Sequence, residues 1–168
     1  KTAKPDELTD VLKGIEKDIA FELGEYDRDF EMLIDVADIG SDAFDKATTD
    51  KVVSFIGTVA NGVLEMSKKI SGFVEYSRNL GVISTEGDAV ILTFFARSGI
   101  DAQLHTSNRE IEALAKMVGA DVKYMEMYGG WAYNDNSVIR DEYAKAYKKV
   151  TGKDITVIQL HAGLECGY

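Results

Sequence analysis

Reactive side chains are most concentrated at the end of the chain, in His161-Ala-Gly-Leu-Glu-Cys-Gly167, which holds an imidazole, a carboxylate and a thiol. His161 and Glu165 stand four apart in what reads as a strand leaving into a loop, so the helical pairing that would aim both at one metal is not expected. With two histidines in the whole chain and no second cysteine, a stable zinc centre of three or four protein ligands is not expected. No metal ligand and no catalytic residue is therefore assigned. Cys166 beside His161 has the makings of a thiol nucleophile with its base, but no third group orients the pair, and a lone cysteine ordinarily packs. His105, among Gln103, Thr106 and Asn108, reads as solvated surface. Glu75, Ser77 and Asn79 alternate along one extended stretch, either as the wet side of an antiparallel sheet or as the border of a cleft or partner surface. Arg97 closes the next apolar stretch, and Trp131, after two glycines, reads as a packing anchor.

The elements that must position these residues follow from the spacing of apolar side chains. Leu8, Val11, Leu12, Ile15, Ile19 and Leu23 recur at helical intervals between Pro5-Asp6 and Gly24, an amphipathic helix with entry and stop signals. Phe30, Met32, Ile34 and Val36 alternate with polar residues as a strand. A second helix starts at Thr49 and ends or kinks at Asn61-Gly62. Residues 73–84 and 89–97 form a hairpin across Glu86-Gly87-Asp88, where glycine tolerates the positive φ of a tight turn. A third helix spans Asp101 to Val118 and stops at Gly119; Val122 to Tyr128 alternate as a strand. This order is βαββαβ, which predicts an α+β, ferredoxin-like two-layer sandwich with a four-stranded antiparallel sheet under two helices. Residues 1–28 add a helix before it. A helix over 136–150 and a strand over 155–160 come after it, within 132–168.

Composition excludes several classes of function. With 45% hydrophobic and 29% charged residues and a single proline, the chain is globular rather than disordered or fibrous. A net charge of −10 repels phosphate over most of the surface, so no nucleic-acid partner is expected. No apolar run approaches the roughly 18 residues of a membrane span, and Lys1-Thr-Ala-Lys-Pro5 lacks the apolar stretch of a signal peptide. One cysteine forms no internal disulfide, which fits a cytoplasmic location. The start without methionine and the stop directly after the glycine-rich run give both ends the look of an excised piece.

Several runs resemble the aminoacyl-histidine dipeptidases, also called Xaa-His or cytosol nonspecific dipeptidases, zinc metallopeptidases related to carnosinase. His161-Ala-Gly-Leu-Glu-Cys-Gly167 is similar to their signature at the return from lid to catalytic domain. Asn61-Gly62-Val63, the stretch from Val74 to Ile83, Ala96-Arg97-Ser98, the turn from Tyr128 to Trp131 and Asn136-Ser137 match in the same order. The resemblance implies that residues 29–131 form a lid subdomain and that 132–168 return to the catalytic domain. It implies a parent enzyme that hydrolyses Xaa-His and other dipeptides with two zinc or other divalent ions, held by segments outside this chain, and a lid that often makes a homodimer contact. It further implies that Arg97 pairs with the carboxylate of the dipeptide, a task suited to a planar guanidinium, against the plainer reading of a solvated surface arginine. His161, Gly163 and Glu165 would line the substrate cleft, against the plainer reading of a glycine turn needed for packing. The piece itself, without cofactor, is expected to be an inactive lid. The rival from another class is a free-standing ferredoxin-like regulatory domain that binds a small ligand or dimerises.

Overall fold

In the computed structural model the described residues are 4–35, 43–125 and 132–162. They fall into two compact units, Lys1–Lys46 and Ala47–Tyr168. The first is built on helix α1, Pro5–Leu23. Proline at the start costs no hydrogen bond there, and Asp6 and Glu7 place negative charge at the positive end of the helix dipole. Gly24, at φ 52°, ends it by donating its N–H to the Ala20 carbonyl. Residues 30–35 follow without regular structure, and the Met32 N–H donates to Glu16 Oε1 on α1 at 3.4 Å.

The second unit carries the sheet. Helix α2, Lys46–Thr58, leads into strand β1, Gly62–Met66, and then β2, Val74–Glu86, and β3, Ala89–Ser98. The three pair antiparallel in the order β1-β2-β3. The hairpin closes at Glu86↔Ala89, and of its two loop residues only glycine, Gly87 at φ 58°, takes positive φ. Helix α3, Asp101–Val118, follows and ends on Gly119 in the left-handed conformation. Helix α4, Val138–Thr151, is capped by Ser137, whose hydroxyl accepts from the Arg140 N–H, and closes on Gly152.

The core lies between one sheet face and helices α2 and α3. Phe55 and Val59 meet Ala115, with Leu92, Phe94, Ile111, Leu114, Val118 and Val122 packed around them. The rings of Phe55 and Phe94 sit 5.9 Å apart and tilted, a favourable arrangement for their quadrupoles. The hydrophobic periodicity thus located the helices and the hairpin well, and the α+β class with an antiparallel sheet holds.

Three expectations at the level of single strands come out differently. The strands expected at 29–36 and 122–128, on which the ferredoxin-like order depends, run partly through residues outside the described ones, and their described parts, 29–35 and 122–125, carry no ladder. Residues 155–160, expected as a strand, are likewise without a ladder. In their place, Gly62–Met66 pairs with β2. Asn61-Gly62 reads as a helix stop in the sequence, whereas α2 already ends at Thr58 and Gly62, at φ 92°, opens the strand. Two register shifts within its five residues break the alternation by which a strand is normally recognised.

Candidate functional site

Alternation along β2 sends successive side chains to opposite faces. Tyr76 and Arg78 go under the helices and are buried, while Glu75, Ser77 and Asn79 face the other way. The strand is held at this depth by Arg78, which is only 1% exposed. Its Nε donates to the Ala60 carbonyl at 2.9 Å, its Nη1 to Ser107 Oγ at 3.1 Å, and both terminal nitrogens to one Glu110 carboxylate oxygen at 3.0 Å. A buried guanidinium needs such a set of acceptors, because an unpaired buried charge is strongly unfavourable. A bulge at Gly81, between the pairs Leu80↔Phe94 and Val82↔Thr93, then reverses the parity. The polar row therefore occupies only the first half of the strand. At its boundary the Asn61 side-chain oxygen accepts from the Leu80 N–H at 2.7 Å.

Across the ladder, Asn79 opposes Phe95 and Ser77 opposes Arg97. These four residues line a shallow depression of about 360 Å³ on the face away from the core. The Arg97 guanidinium sits 5.1 Å from the centre of the Phe95 ring, a cation–π contact that holds the charge over the depression. His161, 84 positions along the chain from Ser77, joins the same face: its Nε2 lies 2.7 Å from Ser77 Oγ. The Phe73 ring stands edge-on to the imidazole, with centroids 6.1 Å apart and planes at 81°.

The electrostatics of this patch favour a neutral imidazole. Burial, and then the nearby positive charge of Arg97, push His161 below its ordinary value of 6.5, while Glu75 pulls in the opposite direction. The result is a small surface bearing a fixed cation, a hydroxyl, an amide and an uncharged imidazole, backed by two aromatic rings. Such a set suits an oxygen-rich anionic ligand with an apolar part.

Of the residues singled out from the sequence, Arg97 and His161 are brought together on one face, and the row of Glu75, Ser77 and Asn79 lies beside them. Gly163, Glu165 and Cys166 lie outside the described residues, as does Trp131. His105 is exposed on α3, in keeping with its reading as solvated surface. Sequence reasoning did not find the Ser77–His161 contact or the aromatic backing of Phe73 and Phe95. Only the alternation of β2 hinted at the first; the long-range return of His161 leaves no local signal. Among the described residues no group of three or more His, Cys, Asp or Glu side chains is placed to hold a metal. Among them, too, no helix is long and apolar enough to cross a membrane.

No protein-family model matches the chain. Over 164 residues it is 27% identical to a cytosol non-specific dipeptidase of Escherichia coli strain K12, covering 98% of this chain and 34% of that protein. Its fold superposes on the crystal structure of aminoacylhistidine dipeptidase from Vibrio alginolyticus with a TM-score of 0.85 and 27% identity, again over 98% of this chain and 34% of the other. The resemblance carried by the sequence motifs thus extends over nearly the whole chain, and both relatives are dipeptidases. The chain spans about a third of the length of the relatives it matches.

Proposed function

We propose that this chain is the lid portion of a dipeptidase that hydrolyses Xaa-His and other dipeptides, and that its polar sheet face holds the carboxylate end of the substrate. The convergence of Arg97, Ser77 and His161 on one face carries the reading, in the company of relatives that are dipeptidases. Arg97 offers the dipeptide carboxylate two parallel charge-assisted hydrogen bonds. His161 stands beside it as an uncharged hydrogen-bonding group, and the resemblance to the dipeptidases adds Gly163 and Glu165 to the proposed substrate-binding residues.

On this reading the metal-binding residues belong to segments of the enzyme outside this chain, as the resemblance to the dipeptidases implies. Two zinc or other divalent ions, if bound there, would supply the Lewis-acid chemistry of a metallopeptidase. The chain of 168 residues is on this reading inactive by itself. The complete enzyme is a cytoplasmic homodimer in which the lid contributes to the contact between subunits.

The test is direct. The complete enzyme, loaded with zinc, releases free histidine from a carnosine-like dipeptide and loses that activity to a chelator, whereas the 168-residue chain with added zinc shows no turnover above buffer. Turnover by the short chain, or none by the complete enzyme, contradicts the proposal. Sedimentation of the complete enzyme as a monomer contradicts the assignment of a dimer.

A further inference from the structure

Ser77 touches the one imidazole of the candidate site, and the residue pattern gave it no role beyond its place in the polar row. Its position is firmly set. It sits inside β2 with ladder partners on both sides, Val63 on β1 and Arg97 on β3, and its neighbour Arg78 is locked beneath the helices. The hydroxyl is thus delivered to a fixed point, and the 2.7 Å separation from His161 Nε2 is that of a well-formed hydrogen bond. Phe73, edge-on to the ring, restrains the plane of the imidazole.

A neutral imidazole carries one donor and one acceptor, and the bond made by one nitrogen decides what the other presents. The charged groups facing the ring are Arg97, on β3, and Glu75, on β2. The guanidinium disfavours a second proton on the ring, and a serine hydroxyl rotates freely to donate. We infer that Ser77 is a positioning residue for His161: its O–H donates to Nε2 and holds the proton on Nδ1, so that Nδ1–H and the Arg97 guanidinium together serve as donors to an oxygen of the dipeptide. This rests on the reading of the face as a dipeptide site. Without the serine, the imidazole is released to the Nε2–H form that unrestrained histidines favour, and the second donor is lost.

Two measurements test it independently. Nitrogen-15 NMR of the imidazoles in the 168-residue chain, which has only two histidines, is assigned with His105→Gln. Wild type is expected to show a protonated Nδ1 and a bare Nε2 at His161, Ser77→Ala to move towards Nε2–H, and Ser77→Thr, which keeps the hydroxyl, to retain the wild-type pattern. An Nε2–H imidazole in wild type, or the same tautomer in Ser77→Ala, overturns the inference. In the complete enzyme, Ser77→Ala is expected to raise KM for an Xaa-His dipeptide about tenfold with kcat changed less than about twofold, and Ser77→Thr to restore it. An unchanged KM beside a switched tautomer overturns the link to substrate. Absence of dipeptidase activity in wild type instead removes the functional reading and leaves the NMR result to decide the role of Ser77 in placing the ring.

Discussion

Replacing Glu110 with alanine should destabilise the sheet-bearing unit through a residue it does not itself bury. Glu110 is half exposed, but its carboxylate oxygen receives two hydrogen bonds at 3.0 Å from Arg78, whose side chain is 1% exposed. Hydrogen bonds to charged groups contribute about 1.5–3 kcal/mol each, and removing one partner of a fully buried pair costs about 3–5 kcal/mol. Here the carboxylate side is open to solvent and water replaces part of it, while the Ala60 carbonyl and Ser107 still accept from the guanidinium. The expected loss is about 2–3 kcal/mol, or about 4–12 °C in Tm for a chain of this size. Urea unfolding followed by circular dichroism measures it, with Glu142→Ala as the control: that residue pairs with Lys145 on the surface and should change stability by less than about 0.5 kcal/mol. If Glu110→Ala loses no more than the control, Arg78 is not the clamp that sets the depth of β2, and the placement of Ser77 and Asn79 needs another cause.

Other outcomes follow from the same contacts. Gly119→Ala places a side chain at φ 71° at the end of α3 and should cost about 1 kcal/mol in the same urea assay; a neutral substitution there would contradict the left-handed cap. His161 titrates below 6.5 through burial first and Arg97 second, against Glu75, so the unfolded chain binds this proton before the folded one does. Its contribution to stability is complete above about pH 6.5, falls as the pH drops towards the folded pKa and levels off below it. Comparison of urea curves at about pH 7.5 and about pH 5 for wild type and His161→Phe should therefore show a larger acid loss in wild type, and equal losses would refute the assignment.

What the sequence reveals here is whatever is encoded locally. Asp101 to Val118 carries its period, its apolar face and its glycine stop within one segment, and the structure follows it to the residue. Gly87 marks the hairpin for the same reason, since a backbone conformation of positive φ can be read from one residue. Strand β1 was hidden because two register shifts leave its five residues without alternation. Residues 30–35 misled in the opposite way: they alternate like a strand, but alternation shows only that one side is buried and names no hydrogen-bonding partner. For the site, Arg97 and His161 stood out through motif resemblance, and the outward row of β2 through its period. Their meeting on one face depends on the Ser77–His161 contact, which is made across the fold by residues far apart in the chain.

If Arg97 and its neighbours on the sheet face hold the carboxylate end of a dipeptide, a substrate that lacks that carboxylate must be indifferent to Arg97. In the complete enzyme, kcat/KM is measured for an Xaa-His dipeptide and for the same dipeptide as its C-terminal amide, with wild type and Arg97→Ala. Loss of a paired, charge-assisted contact should lower kcat/KM about 100-fold on the free acid while leaving the amide within about threefold. An equal loss on both substrates, or none on either, would contradict the assignment.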